Sequence, residues 1–292
     1  MRALKDYNPV TSAVYFFAVA GVAMFSMNPV LLFISLCGAV LFYTVQNGGK
    51  NGAVHIFSFA LFIITALINP LVYHNGTTVL FVLNNNAVTL EAAAYGLAAA
   101  CMVVAVLYWF RSFTAIMTGD KLLYLFGKLS PKLALVFSMG LRYVPLFKKQ
   151  ALNIDGTQTA LGLYKDDNII DRFRGKLRVF SVLLTWALEN GIVTADSMSA
   201  RGYGIGKRSH FSVFRMRRDD VIFLLVTLSL FALTVYSIGV GAMEFAYYPS
   251  MGAAGSSPAA LLGYIAYGAL TLLPTLTETG EKIKWKYLRS KI

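Results

Sequence analysis

Long apolar runs alternate with short polar interruptions along this chain. Six runs approach or reach membrane-crossing length: Val10–Ser26, Pro29–Val45, Ala53–Val72, Leu90–Phe110, Val221–Gly241 and Ala259–Leu276. A helix needs about 20 apolar residues to cross the hydrocarbon core, where it satisfies its own backbone polar groups. The first two runs are short and separated only by Met27 and Asn28, a pattern that predicts a tight hairpin. The fold class expected is all-α: a polytopic membrane protein with about six transmembrane helices and long amphipathic cytoplasmic helices.

Those amphipathic helices fall between the fourth and fifth runs, where large apolar residues persist but charges interrupt them. Ser130-Pro131 offers a cap residue followed by proline at a first helical position, so a helix is predicted over Pro131–Asn153. Leu133, Phe137, Gly140, Val144 and Phe147 share one face of it, and Pro145 should kink it or end its first part. From Arg174 to Ala200, Val179, Leu183, Trp186, Val193 and Ala200 share a face, with Arg178, Thr185, Glu189 and Asp196 on another. Gly202, Gly204 and Gly206 should end this second helix, with Lys207 and Arg208 near its carboxyl terminus. Three regions follow: residues 1–110, 111–219 and 220–292.

Composition supports the bilayer assignment, since 57% of the 292 residues are hydrophobic and only 14% are charged, with mean hydropathy +0.61. Charge adds an orientation. Of 26 Lys and Arg residues, two precede the first run, one follows the second, eighteen lie between Arg111 and Arg218, and five lie between Lys282 and Lys291. Loops rich in these residues stay on the cytoplasmic side, which puts both termini inside. The net charge of +12 thus belongs with membrane topology and anionic headgroups, not with nucleic acid. No signal-peptide cleavage site follows the N-terminal apolar run. Cys37 and Cys101 lie in predicted spans as small packing residues.

Catalytic patterns are missing from the sequence. Gly202-Tyr-Gly-Ile-Gly-Lys-Arg-Ser209 fails as a nucleotide-binding loop, because Arg201 stands where a glycine is needed and Arg208 where Ser or Thr should follow the lysine. His55, His74 and His210 lack metal-ligand spacing, and no Gly-x-Ser-x-Gly motif offers a nucleophile. The predicted spans are free of Asp, Glu, Lys and Arg apart from Glu91 at an outer edge, which disfavours intrinsic ion-coupled transport. The outer loop Asn69–Thr89 carries Asn84-Asn-Asn86 and a weak glycosylation match at Asn75-Gly-Thr77. In the other, Ala242–Pro258, Tyr247 and Tyr248 read as interfacial anchors. Arg201, flanked by Ala200 and Gly202, is the best contact for an external energy source, since its planar fork stays charged when buried and grips carboxylates or carbonyls.

Several strings, in order, carry a family resemblance: Asn69-Pro-Leu71, Thr89-Leu-Glu91, Leu129-Ser-Pro-Lys-Leu-Ala-Leu135, Leu141-Arg-Tyr-Val-Pro145, Met198-Ser-Ala-Arg-Gly-Tyr203, Tyr248-Pro249 and Pro274. Together they resemble the transmembrane T component of energy-coupling-factor (ECF) transporters, importers of cobalt and vitamins driven by separate ATPase subunits. The resemblance implies two coupling helices, each ending near an Xaa-Arg-Xaa motif that docks on one of two ABC ATPases, identical or different. It also implies a separate substrate-binding S component in the membrane, a prokaryotic cell-membrane location, no cofactor, no metal site and no catalysis. Ala200, Arg201 and Gly202 match the second motif, whereas Ala160, Leu161 and Gly162 occupy the first with leucine at the arginine position. This departure predicts unequal docking at the two coupling sites. The alternatives are a stand-alone solute carrier with a regulatory cytoplasmic segment, or a membrane enzyme with an unrecognised site.

Overall fold

The protein is described by a computed structural model over residues 4–48, 52–72, 76–83, 86–163, 169–206, 214–252 and 255–290. After a 3-10 turn at Leu4–Asp6 come α1 (Pro9–Phe25), α2 (Pro29–Asn47) and α3 (Gly52–Val72). An antiparallel strand pair, β1 (Val79–Leu83) and β2 (Asn86–Thr89), precedes α4 (Leu90–Ile116). The chain continues through α5 (Gly119–Leu129), α6 (Pro131–Ala160), α7 (Ile169–Ala200), α8 (Arg218–Gly239) and α9 (Pro258–Arg289). Two compact units result: Met1–Leu122 with Phe214–Ile292, and Leu123–Val213.

Helix starts follow simple chemistry. Pro9, Pro29, Pro131 and Pro258 each open a helix, where a missing N–H costs nothing. Asn8, Asn28 and Ser257 then accept the first free amides, from Val10, from Val30 and Leu31, and from Ala260. Ser130 departs from expectation: α6 starts directly after it, yet its side chain makes no capping bond. Pro145 does not end α6 either; the helix runs unbroken past it to Ala160.

In the first unit the core is aromatic. Tyr15, Phe16, Phe42, Trp109 and Phe223 pack with ring centroids 5.4 to 6.3 Å apart. The polar atoms of three of its rings are bonded: Trp109 Nε1 donates to Ser35 Oγ at 3.1 Å, Tyr15 Oη to the Leu270 carbonyl, and Tyr267 Oη to the Val19 carbonyl. Helices approach closely at glycines, Gly38 and Gly96 among them. A Cβ on Gly38 would lie 2.7 Å from Thr271 Cβ, and one on Gly96 would lie 2.7 Å from the Ala66 carbonyl oxygen.

Among the described residues, six helices are long and apolar enough to cross a membrane, as anticipated, but they are not the same six. The set is α2, α3, α4, α7, α8 and α9, while α1 has only 17 residues. α7 qualifies because its charges cluster towards the N-terminal end, leaving a stretch that passes as the least hydrophobic of the six. Helix ends also differ: α4 continues through Arg111 to Ile116, and α9 through the basic tail to Arg289. Cys37, expected as a packing residue, is exposed on α2.

Candidate functional site: the tips of two long helices

Within the second unit, α6 and α7 run antiparallel. Tyr143 Oη lies 3.0 Å from Thr194 Oγ1, the rings of Phe147 and Trp186 are 5.9 Å apart, and Lys176 Nζ is 2.7 Å from Asp155 Oδ2. Residue numbers rise along α6 as they fall along α7, so the carboxyl ends of the two helices point in opposite directions. At about 1.5 Å rise per residue, the tips are separated by roughly 40 Å along the pair. The predicted apolar faces meet at Phe147 and Trp186, but Phe137, Val144 and Val193 are exposed.

Both tips are built the same way. Ala160 is the last residue of α6, Leu161 the cap and Gly162 the next residue, with φ +65°. The amides of Gly162 and Leu163 donate to the carbonyls of Thr159 and Gln158, at 3.0 and 3.1 Å. At the other tip Ala200 ends α7, Arg201 is the cap, and Gly202 has φ +80°. Here the amides of Gly202 and Tyr203 donate to the carbonyls of Ser199 and Met198, both at 3.0 Å. These are two Schellman motifs in one register, and the left-handed residue in each favours glycine. Leu161 and Arg201 therefore occupy equivalent positions on equivalent backbones. Leu161 is 69% exposed, and the exposed side chain of Arg201 has no ion pair or hydrogen-bond partner among the described residues.

The other candidates read from the sequence scatter. His55 bonds Tyr108 at 2.8 Å in the first unit, while His74, Asn75, Asn84, Lys207, Arg208 and His210 lie outside the described residues. Among the described residues there is no cluster of His, Cys, Asp and Glu that would hold a metal ion. Tyr247 is not an interfacial anchor: it is 6% exposed, donates to the Met27 carbonyl at 2.8 Å, and packs on Tyr95 and Phe245. Burial pushes its phenol up to about 12. Glu91 is likewise buried, accepting from the Thr78 amide at 3.2 Å and the Thr77 hydroxyl at 3.1 Å. That hydroxyl also lies 3.4 Å from the Pro249 carbonyl, which joins the two loops named in the sequence as outer. Sequence reasoning missed this tie, because its partners are far apart along the chain.

An apolar helical bundle and a second unit of long exposed helices define a multi-pass α-helical membrane protein. The CbiQ family of cobalt transport proteins matches residues 2–213, and the chain belongs to that family, the T components of ECF transporters. The match ends before α8. No curated protein matches the chain.

Proposed function

We propose that this membrane transport component is the coupling scaffold of an ECF-type importer. It links ATP hydrolysis by two partner ABC ATPases to uptake of a vitamin, cobalt, nickel or another micronutrient through a separate S component. The observation that carries the reading is the matched pair of Schellman tips. Each presents one exposed residue, Leu161 or Arg201, at the end of a long helix, flanked by Ala and Gly that let a partner approach closely. Tips roughly 40 Å apart and pointing opposite ways suit two docking partners better than one.

In this reading residues 111–219 are cytoplasmic, residues 1–110 and 220–292 supply the membrane spans and the basic tail, and both termini are inside. Residues of α7 such as Leu177, Phe180, Leu188 and Ile192 are exposed, and the S component covers such apolar area. Arg201 supplies a charged contact to one ATPase and Leu161 an apolar one to the other, so the two sites are unequal. The chain performs no covalent chemistry, and the ATPases supply the energy.

Copurification of ATPase subunits with the tagged chain tests the reading. Arg201→Glu should leave membrane insertion intact and lower ATPase recovery or uncouple hydrolysis from uptake. Loss of one partner of a buried charged hydrogen bond costs about 2–5 kcal/mol, or roughly 30-fold or more in affinity. Wild-type assembly and uptake in this variant would reduce Arg201 to a solvated cap residue.

A further inference from the structure

Two charged residues sit where the chain leaves the first unit and where it returns. Lys121, in the first turn of α5, is only 5% exposed, and its Nζ donates to the backbone carbonyl of Lys5. Asp220, in the first turn of α8, is also 5% exposed. Its Oδ1 accepts the Asn8 amide at 3.0 Å, and its Oδ2 accepts the Arg217 amide at 2.8 Å. The ammonium and the carboxylate do not pair with each other. Each instead reaches the backbone of the same short stretch, Leu4–Asn8.

That stretch is itself fixed to the core. Leu4, Tyr7 and Asn8 are all buried, the Tyr7 ring lies 5.0 Å from Phe223, and the Asn8 side chain caps α1 through the Val10 amide at 3.0 Å. α1 then carries Tyr15, packed on Trp109 of α4 and Phe223 of α8, so it joins the helix that precedes the exit to the helix that follows the return. Burying an ammonium or a carboxylate is costly, and an apolar residue of similar volume would hold the same packing at lower cost. What the charges add is direction, since each bond fixes one backbone point relative to another.

We infer that Lys121 and Asp220 are positioning residues that clasp both ends of the central segment to Leu4–Asn8, so that movement of that segment is delivered to α1 and the membrane core. The inference rests on the coupling function proposed above. Lys121 holds the outgoing chain and Asp220 the returning chain. With both clasped, a push on the central helices moves α1; with either released, the central helices move without it.

The test uses the full assembly of chain, ATPases and S component in proteoliposomes, measuring ATP hydrolysis and uptake together. Lys121→Met keeps the buried stem and removes the donor. Asp220→Asn keeps the shape and leaves one of two amides without an acceptor. Both variants should retain ATPase copurification and hydrolysis while uptake per ATP falls by about 2- to 30-fold. Lys121→Arg, which keeps a donor, should restore the ratio. The double variant should lose little more than either single variant, since both act through one stretch. Hydrogen exchange should speed up at residues 4–10 and 214–220 in Asp220→Asn. Wild-type uptake per ATP in both variants, or loss of ATPase copurification in both, would overturn the clasp while leaving the coupling function in place. A wild-type chain that no ATPase drives would overturn both.

Discussion

Leu161 and Arg201 differ in chemistry but share a backbone, and at the residue scale this makes a sharp experiment possible. Because Leu161 is exposed and its cap geometry matches that of Arg201, Leu161→Arg should be accommodated without loss of fold. ATPase recovery in pulldowns should equal or exceed wild type where the facing groove keeps acidic or carbonyl acceptors; a marked fall would mean that groove is apolar. The glycines are less tolerant. Gly162→Ala and Gly202→Ala place a side chain at positive φ, which costs about 1–2 kcal/mol. Local hydrogen exchange at the last turn of α6 or α7 should accelerate accordingly. Arg201 stood out as a candidate because Ala-Arg-Gly lies at the end of an amphipathic pattern, whereas Leu161 was reached only through the family resemblance. Glu91, Lys121, Tyr247 and Asp220 were not legible, since their bonding partners are distant in sequence and carry no periodic signal.

At the element scale, apolar runs located most of the spans, because burying a helix in lipid demands continuous apolar sequence. Their ends were less legible. α4 and α9 continue into charged sequence because nothing in the backbone chemistry stops them at the apolar boundary, and no cap residue stands at Phe110 or Leu276. The strand pair before α4 had no strand-period signal, and Pro145 stays inside α6. α7 is the element whose placement composition alone leaves open, so topology is the test. In a background lacking Cys37 and Cys101, Asp120→Cys and Asn190→Cys should resist an impermeant thiol reagent added to intact cells. Ready labelling at Asn190→Cys would put α7 across the membrane. Packing predicts a further effect: Gly96→Val forces a side chain against the Ala66 carbonyl and should destabilise the first unit by about 1–3 kcal/mol, read as a lowered Tm in detergent.

On the scale of the whole molecule, the division of labour follows from where charge lies. The first unit is held by aromatic packing and buried hydrogen bonds, and the spans read from sequence carry no Asp, Lys or Arg and a single Glu, Glu91 at an edge, which is engaged by Thr77 and Thr78. The purified chain alone, reconstituted in liposomes, should therefore move no solute under a proton or sodium gradient. Its second unit carries the exposed helices and the two tips. The measurement that bears most directly on the coupling function is site-specific crosslinking in the assembled transporter, from Leu161→Cys and Arg201→Cys in the cysteine-free background. Both positions should crosslink to ATPase subunits, and the Arg201→Cys crosslink should change yield between nucleotide-free and ATP-bound states. Failure of either position to reach an ATPase, while the complex assembles and transports, would contradict the account.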